Sequence, residues 1–263
     1  MKLLGVIGWP IAHSRSPAMH NAALQHISAH FVYLPFAVRP EDLRAAVEGF
    51  GALGGRGLNV TIPHKEAALA LCQPDELATR VGAVNTLLFE DHRVIRGGNT
   101  DVHGFQMLLA ESGAPSGNAI VLGTGGAARA VVAALSGKVT LVARAPRPFS
   151  LGGRDYDVQP WSALPALLRD ADLLVDATPR GLGDAPETID LSSTNAAVLD
   201  LVVRRETPLV RAARARGLRA ATGTAMLLHQ GAAAFERFTG RAAPIDVMRM
   251  ALDAALPLET TQP

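Results

Sequence analysis

A glycine-rich segment, Gly123-Thr124-Gly125-Gly126-Ala127-Ala128-Arg129, joins the apolar run at residues 119–122 to an alanine-rich stretch that ends near Leu135. The apolar run predicts a buried strand, and the alanine-rich stretch predicts a helix that begins directly after the turn. A strand, a tight turn and a helix in this order are the first half of a parallel βαβ unit. This segment therefore restricts the chain to the α/β folds.

Outside this segment, short apolar runs also alternate with longer helical patterns. The predicted strands lie at residues 3–7, 31–36, 57–62, 119–122, 139–143, 173–176 and 197–203. The predicted helices lie at residues 17–27, 40–50, 64–70, 102–111, 127–135, 226–238 and 245–256. The alternation predicts an N-terminal α/β domain followed by a doubly wound domain. We expect the last two helices to pack back on the first domain.

One connection does not follow this alternation. Residues 144–156 contain Pro146, Pro148 and the adjacent pair Gly152 and Gly153, all of which oppose a helix. Parallel strands are usually joined by a crossover of a dozen or more residues that contains a helix. We therefore expect a shortened or non-helical connection here.

Composition narrows the possible functions. The 263 residues are enough for one large domain or two small domains with a real core. Because 25 Lys and Arg balance 24 Asp and Glu, a nucleic-acid-binding or anionic-membrane surface is disfavoured. Cys72 is the single cysteine, which excludes an internal disulfide and favours a reducing compartment. The apolar run at the start of the chain is too short for the hydrophobic region of a signal peptide. No stretch reaches the ~18 consecutive apolar residues that a membrane-spanning helix needs. A cytoplasmic protein is expected.

The glycine-rich segment also indicates a cofactor. Gly123, Gly125 and the small Ala128 match the G-x-G-x-x-G/A pattern, in which backbone N–H groups approach a pyrophosphate at a helix N-terminus. The alternative is an ordinary strand-to-helix turn. The following strand ends without the acidic residue that holds the ribose of NAD, and Arg144 and Arg147 stand there instead. Two guanidinium groups suit a 2′-phosphate and favour NADP, unless both are merely solvated.

Lys65 and Asp101 are the candidate catalytic residues. Only 3 of the 25 basic residues are lysines, and lysine, unlike arginine, can be tuned to exchange a proton. Lys65 follows a predicted strand and lies in a predicted helix. Pro63 would be in the first turn of this helix, and Thr61 could cap it. The alternative is that Lys65 is simply exposed to solvent. An aspartate in the same site would favour the ammonium form and orient it.

Two further segments carry polar groups. Ser14 and Ser16 precede the first predicted helix, where Ser16 is a natural N-cap and Pro17 a natural first residue. A helix N-terminus with free hydroxyls also receives carboxylates, so Ser16 could cap while Ser14 faces a ligand. Asn85 lies among small residues that suit either a cleft or an ordinary turn.

Together these segments resemble the shikimate dehydrogenase family over nearly the whole chain. Six blocks occur in order: residues 8–17 (GWPIAHSRSP), 59–65 (NVTIPHK), 82–86 (GAVNT), 99–101 (NTD), 123–129 (GTGGAAR) and 223–230 (GTAMLLHQ). The resemblance implies a substrate-binding catalytic domain of residues 1–101 plus about 229–263. It implies an inserted Rossmann-like NADP domain of residues 102–228, with a cleft joining the two.

The resemblance also implies the site residues. The catalytic pair would be Lys65 and Asp101, with no metal. The substrate-binding residues would be Ser14 and Ser16 for a carboxylate, and Asn59, Thr61, Asn85 and Gln230 for ring hydroxyls. The cofactor-binding residues would be Gly123, Thr124, Gly125, Gly126, Ala127, Arg144, Arg147, Thr178 and Gly223.

The implied reaction is the reversible reduction of 3-dehydroshikimate to shikimate by NADPH, a step in the biosynthesis of chorismate and the aromatic amino acids. Nicotinamide C4 would give a hydride to the ketone, while Lys65 and Asp101 would stabilise the alkoxide and relay a proton. The partners would be shikimate and 3-dehydroshikimate, with no nucleic acid and no membrane, and the protein would be a monomer or homodimer.

Four positions depart from the family's pattern. Val203 stands where a tyrosine hydroxyl is usual near the substrate, and Ala143 replaces the asparagine before Arg144. Asp176 replaces an asparagine and is expected either to repel a phosphate or to bind backbone groups. Ala225 replaces a glycine and is expected to alter a turn. None of these changes Lys65, Asp101, Ser14 or Ser16, so an active enzyme is expected.

Three alternatives stay open. A quinate/shikimate dehydrogenase would accept an extra ring hydroxyl and often prefers NAD, against which Arg144 argues. A non-catalytic, ligand-sensing relative would have lost the chemistry, against which Lys65 and Asp101 argue. An unrelated dinucleotide-binding protein would match the six blocks only by accident.

Overall fold

The computed structural model describes residues 2–182 and 189–256. Its described residues divide into two compact units. Unit 1 comprises the residues up to Asp101 together with Leu228–Leu256, and unit 2 comprises Val102–Leu227. In the described part of the chain, no helix is long and apolar enough to cross a membrane.

Unit 1 is built on a five-stranded mixed sheet. Its elements up to residue 98 are β1 (Lys2–Gly8), α1 (Ser16–His26), β2 (Phe31–Ala37), α2 (Leu43–Ala52), β3 (Gly55–Val60), α3 (Glu76–Val81), β4 (Thr86–Glu90) and β5 (Arg93–Gly98). The strand order is β2-β1-β3-β4-β5. β1 is parallel to β2 and β3, whereas β4 is antiparallel to both β3 and β5. Leu58, Val60, Leu87 and Phe89 form part of the core on one side of this sheet.

Unit 2 contains a six-stranded parallel sheet. Its elements are α4 (Asp101–Ser112), β6 (Asn118–Leu122), α5 (Gly126–Ala134), β7 (Lys138–Ala143), β8 (Phe149–Leu151), β9 (Arg154–Tyr156), β10 (Val158–Pro160), α6 (Leu164–Leu167), β11 (Leu173–Asp176), β12 (Ala197–Asp200), α7 (Pro208–Ala215) and β13 (Ala220–Thr222). The strand order is β10-β7-β6-β11-β12-β13. The chain starts at β6 in the middle of the sheet, adds β7 and β10 on one side, and then adds β11, β12 and β13 on the other side. This is the strand order of the doubly wound dinucleotide-binding fold, so the predicted fold class is confirmed.

The chain continues with two helices, α8 (Thr224–Thr239) and α9 (Ile245–Ala255). Met248 and Leu252 of α9 are fully buried, and α9 packs along α1. The ring of Phe238 on α8 packs against Gly57 on β3. A Cβ atom on Gly57 would lie only 2.1 Å from this ring, so β3 and α8 are in close contact at that glycine.

The predicted non-helical connection after β7 is confirmed. β8 and β9 form an antiparallel hairpin whose turn, Gly152-Gly153, has φ values of 59° and 77°. Two successive positive φ angles match the twist of a two-residue hairpin turn, and glycine adopts them without steric cost. The chain then enters the short edge strand β10 beside β7.

The helix predicted at residues 64–70 is wrong. A turn follows β3, with the His64 N–H donating to Thr61 O, and a 3₁₀ helix covers only Ala67–Leu71. The carbonyl of Lys65 accepts the Val84 N–H at 2.8 Å instead of continuing a helix. Thr61 therefore caps no α-helix here, and Pro63 lies in the turn rather than in a helical first turn.

Other elements also differ from prediction. β4 and β5 were not predicted. β4 (TLLFE) is a short segment without apolar and polar alternation, and β5 (RVIRGG) mixes apolar, arginine and glycine residues. Ser16 is the first residue of α1 rather than its N-cap, which is Arg15, and no side-chain cap bond forms at this helix start within the described structure. β12 ends at Asp200 rather than at 203, since the Val202 N–H turns back onto the Asp200 carboxylate.

Candidate active site

Lys65 and Asp101 form a mostly buried ion pair in unit 1. Lys65 Nζ donates to Asp101 Oδ2 at 2.6 Å, and the two side chains are only 14% and 5% exposed. A charge-assisted hydrogen bond is strong where solvent is largely excluded. The pair holds an ammonium group, with donor capacity left over, beside a carboxylate, which is the arrangement that a proton relay to a ligand oxygen needs.

Both residues are held through their surroundings. The Lys65 carbonyl accepts the Val84 N–H, and the buried His64 contacts the Val38 carbonyl through Nε2 at 2.7 Å. Asp101 is the first residue of α4, where the helix dipole favours a carboxylate. Its N–H donates to Asn99 Oδ1 at 3.0 Å. The ion pair is therefore anchored on both sides by buried hydrogen bonds.

Sheet topology explains why these residues meet. The carboxyl end of β3 is level with the start of the antiparallel β4, since Asn59 pairs with Thr86. Thr86 in turn pairs with Gly98 at the end of β5. The loop after β3, the segment before β4 and the loop after β5 consequently share one sheet edge, and they carry Lys65, Asn85 and Asp101.

Asn85 lies at the centre of a buried amide and hydroxyl network. Its Oδ1 accepts from the Thr100 N–H at 2.8 Å and from Thr86 Oγ1 at 2.9 Å. Its Nδ2 donates to Thr100 Oγ1 at 3.0 Å and to Gln230 Oε1, on α8, at 3.4 Å. Gln230 is thus brought beside Asn85 across 145 residues of sequence. The long bond to Gln230 is the one that a ligand hydroxyl could most easily replace.

Asn59 is connected to this network from β3. Its Nδ2 donates to the Asn85 carbonyl at 3.1 Å and to Thr86 Oγ1 at 3.2 Å, and its Oδ1 accepts from the Tyr33 hydroxyl at 2.7 Å. Thr61 follows two residues later and is half-buried, with its N–H donating to Ile7 O.

Ser14 and Ser16 lie at the start of α1. Ser16 is 7% exposed, and its N–H points towards Ser14 Oγ at 3.4 Å. Two hydroxyls and the first N–H groups of a helix form a set of donors that suits a carboxylate.

Sequence reasoning missed three residues of this network. They are Tyr33, Thr86 and Thr100, all nearly or fully buried. Thr86 and Thr100 lie in the segments 82–86 and 99–101, which suited either a cleft or an ordinary turn, and neither threonine had a predicted role. The available signal for Tyr33 was its rarity, since the chain has only two tyrosines.

In unit 2 the glycine-rich segment connects β6 and α5. Gly123 has φ 97°, and a Cβ there would approach Thr178 Cγ2 at 3.1 Å, so only glycine fits easily. A Cβ on Gly125 would meet no atom within 4 Å, so the space before α5 is open. Ala128 is fully buried against the sheet. Thr124, Gly126 and Ala127 complete the turn and the first residues of the helix. An open turn with backbone donors fits a pyrophosphate.

Arg144 and Arg147 follow β7 and are exposed. Because Leu122 pairs with Val142 in parallel register, Arg144 lies at the same sheet edge as the glycine-rich turn. An exposed guanidinium at that edge fits a phosphate on the ribose of a bound dinucleotide.

Asp176 ends β11 next to this turn. Its Oδ1 accepts from the Thr178 hydroxyl at 2.6 Å and from the Thr178 N–H at 2.9 Å, so of the two expected behaviours the structure shows the binding of a backbone group. Burial raises the pKa of Asp176, against the opposing effects of the Thr178 hydrogen bonds and the charge of Arg180. Asp200 is its register partner on β12, and burial raises the pKa of that carboxyl also.

The remaining predicted positions lie at the end of unit 2. A Cβ on Gly223 would lie 2.2 Å from the Leu201 carbonyl oxygen, so this close backbone approach requires glycine. The expected altered turn at Ala225 is wrong, because α8 already begins at Thr224 and alanine is favourable in its first turn. Val203 is half-buried between β12 and α7.

Comparison with known proteins assigns the family. The shikimate dehydrogenase substrate-binding domain matches residues 6–87, and the shikimate 5′-dehydrogenase C-terminal domain matches residues 223–252. The shikimate dehydrogenase (NADP(+)) of Acidiphilium cryptum strain JF-5 is 44% identical over 257 residues, covering 93% of each chain.

Solved structures agree with this assignment. Shikimate dehydrogenase from Aquifex aeolicus is 32% identical, with a TM-score of 0.87, covering 96% of this chain and 97% of the other. Shikimate 5-dehydrogenase from Thermus thermophilus, in complex with NADP(H) and shikimate, is 37% identical, with a TM-score of 0.84, covering 97% of this chain and all of the other. The protein belongs to the shikimate dehydrogenase family.

Proposed function

We propose that the protein is an NADP-dependent shikimate dehydrogenase that reversibly reduces 3-dehydroshikimate to shikimate in the shikimate pathway. The observation that carries this proposal is the 2.6 Å Lys65–Asp101 pair, set beside a buried network of amide and hydroxyl groups. Family membership supports the reaction type, and relatives bearing this name use NADP.

The two units would divide the work. Unit 1 carries the catalytic pair and all the predicted substrate-binding side chains, so we assign it substrate binding and catalysis. Unit 2 carries the glycine-rich turn in the strand order of dinucleotide-binding folds, so we assign it the cofactor.

The substrate would be recognised by charge at one end and by hydroxyl groups at the other. Ser14 and Ser16 would receive its carboxylate at the start of α1. The ring hydroxyls would be held by Asn59, Thr61, Asn85 and Gln230. Buried polar groups that lose their partners when a hydroxyl is missing discriminate strongly between substrates.

Lys65 and Asp101 would perform the proton chemistry. When bound, NADPH supplies the hydride that reduces the ketone. The Lys65 ammonium group stabilises the negative charge that develops on the ketone oxygen, and the pair relays a proton to it. Asp101 orients the Lys65 side chain through the 2.6 Å hydrogen bond between Lys65 Nζ and Asp101 Oδ2.

NADP would be held by unit 2. The residues present fit the group, since the turn before α5 is open at Gly125 and its N–H groups lie at a helix N-terminus. Gly123, Thr124, Gly126 and Ala127 would surround the pyrophosphate, and Thr178 and Gly223 would border the same sheet edge. Arg144 and Arg147 would bind the 2′-phosphate.

We further propose a cytoplasmic location, as expected from the single cysteine, and a monomer or homodimer. Hydrogen bonds within the chain join Lys65 to Asp101 and Asn85 to Gln230, which supports an assembly in which each chain carries its own site.

The test is the absorbance of reduced nicotinamide when purified protein receives shikimate or quinate, each with NADP or NAD. Turnover confined to shikimate and NADP is the expected result. Preference for quinate with NAD would identify the quinate-type alternative. Shikimate binding without turnover in any pair would mean that the protein is a ligand-binding relative without catalysis.

A further inference from the structure

Tyr33 is a fully buried residue that no predicted role includes. It lies on β2, the edge strand of the unit 1 sheet. The side chain of Asn21, on α1, binds both main-chain polar groups of Tyr33. Asn21 Nδ2 donates to Tyr33 O, and the Tyr33 N–H donates to Asn21 Oδ1, each at 2.9 Å. The neighbouring His20 ring stacks on the Tyr33 ring, with centroids 4.2 Å apart and planes 2° from parallel. Both the backbone and the ring of Tyr33 are therefore held by α1.

His20 contributes packing rather than a hydrogen bond. Its ring is completely buried, and neither ring nitrogen has a hydrogen-bond partner within the described residues. Burial lowers the pKa of His20 to about 3, so the ring is neutral at ordinary pH. Phe235 and Phe238 of α8 pack near it. A flat, uncharged ring in this position restrains the Tyr33 ring without competing for its hydroxyl.

The Asn85 main-chain carbonyl and the Tyr33 hydroxyl together fix the orientation of the Asn59 amide. The main-chain carbonyl of Asn85 can only accept a hydrogen bond, so the side-chain amide nitrogen of Asn59 must face it. The amide oxygen of Asn59 then faces Tyr33, whose hydroxyl must donate. Burial raises the pKa of Tyr33 well above its usual range, against the opposing effect of a side-chain hydrogen bond with Ser16, so the Tyr33 hydroxyl keeps its proton. An effect of Tyr33 that passed through Ser16 would not depend on Asn59.

The remaining capacity of Asn59 follows from these bonds. Both of its amide hydrogens are used, by the Asn85 carbonyl and by Thr86 Oγ1. Its amide oxygen has one lone pair left after accepting from Tyr33. Towards a ligand, Asn59 can therefore act only as an acceptor for a hydroxyl.

We propose that Tyr33 is a positioning residue of the substrate site, which holds the Asn59 amide so that its oxygen accepts a ring hydroxyl of the substrate. The proposal rests on the function proposed above, in which Asn59 contacts the substrate. Tyr33 itself does not contact the substrate, and it acts through Asn59.

The test is the variant Tyr33→Phe, which removes one hydroxyl and keeps the ring that stacks on His20. The KM for shikimate is expected to rise about 3- to 10-fold, the effect of losing one hydrogen bond. Because the contact holds substrate in the ground state as well as in the transition state, kcat should stay within about twofold. The KM for NADP should not change. Tyr156→Phe, the same change in unit 2, is the matched control and should leave all three values unchanged.

A double-mutant cycle separates positioning from a general loss of structure. Asn59→Ala removes the group through which Tyr33 acts, so adding Tyr33→Phe to it should change the KM for shikimate by less than about twofold. If Tyr33→Phe alone does not fold, the double variant can still be compared with Asn59→Ala. The double variant has no Asn59 amide oxygen that would be left without its donor.

Three results would overturn the proposal. If the wild-type protein does not oxidise shikimate, the proposed function fails and this inference fails with it. If the wild type is active, the inference alone fails when Tyr33→Phe has the wild-type KM. It also fails when Tyr33→Phe raises the KM equally with and without Asn59.

Discussion

At the scale of single residues, the site depends on a few buried polar groups whose partners lie far away in sequence. Lys65 and Asp101 are 36 residues apart, and Asn85 and Gln230 are 145 apart. Buried polar groups are costly unless they are hydrogen-bonded, so each partner holds the other in one orientation. Single substitutions here should therefore change activity in ways that identify the role of each group.

Lys65→Ala should lower turnover by ~10²-fold or more, because it removes the group that we propose assists proton transfer. The affinity for NADP should change much less, since Lys65 belongs to unit 1 and the glycine-rich turn to unit 2. Steady-state kinetics and cofactor titration measure both quantities. Lys138→Ala, which alters an exposed lysine at the start of β7, is the control. Wild-type turnover in Lys65→Ala would remove Lys65 from the chemistry.

Arg144→Ala should weaken NADP binding far more than NAD binding, by about 10-fold or more, since a charge-assisted bond to the 2′-phosphate is lost. Binding constants for the two cofactors, measured on the same preparation, provide the comparison. Arg169→Ala removes another exposed arginine of unit 2, before β11, and should affect neither cofactor. Equal losses for NADP and NAD in Arg144→Ala would contradict the phosphate assignment.

Asp176→Asn should stabilise the protein at neutral pH. Burial raises the pKa of Asp176 in the folded state, so folding favours the protonated form and stability falls as pH rises from the unfolded-state pKa through the folded-state pKa. Asparagine removes this charge and keeps an oxygen for Thr178. The melting temperature should be higher by about 2–4 °C at pH 7, the effect of ~1 kcal/mol in a chain of this size.

This gain from Asp176→Asn should shrink as the pH is lowered below the usual range of an aspartate, where the wild-type carboxyl is also protonated. Thermal unfolding at several pH values provides the measurement. A gain that is the same at pH 7 and in acid would show that the charge of Asp176 is not its source.

At the scale of elements, conformations were predictable where a local signal dominates. The two prolines and two glycines after β7 correctly predicted a non-helical connection, and the pattern at residues 119–135 correctly predicted a strand, turn and helix. The helix predicted at residues 64–70 failed because the Lys65 carbonyl bonds to Val84 in another segment. β4 and β5 were missed because they are defined by pairing with β3 and with each other more than by their own residues.

Two glycines allow the backbone contribution of the hairpin turn to be measured. Gly153 and Gly49 both leave open space where a Cβ would lie, but only Gly153 has a positive φ, of 77°. Gly153→Ala should destabilise the protein by ~1 kcal/mol through strain. Gly49→Ala, inside α2, should stabilise it by about 0.4–1 kcal/mol. Urea unfolding of both variants tests the pair, and changes of the same sign would contradict the assignment of the φ effect.

At the scale of the whole molecule, both units place candidate site residues at the carboxyl ends of parallel strands, where open α/β sheets generally bind ligands. In unit 1 these are the residues that follow β1 and β3, and in unit 2 those that follow β6, β7 and β11. Unit 1 is discontinuous in sequence, because Leu228–Leu256 joins the residues before Val102. Gln230 reaches Asn85 only through this return of the chain.

The α/β class, the dinucleotide-type turn, the absence of an acid after β7 and the candidate site residues could all be predicted from the amino-acid sequence. These depend on local periodicity, backbone preferences and short motifs. The three-dimensional fold was needed to show the antiparallel direction of β4, the partners of the buried amides, the hydrogen bond from Tyr33 to Asn59 and the binding of Thr178 by Asp176. Such features arise from hydrogen bonds between distant segments, whose geometry is set when the sheets and helices pack and not by neighbours along the chain.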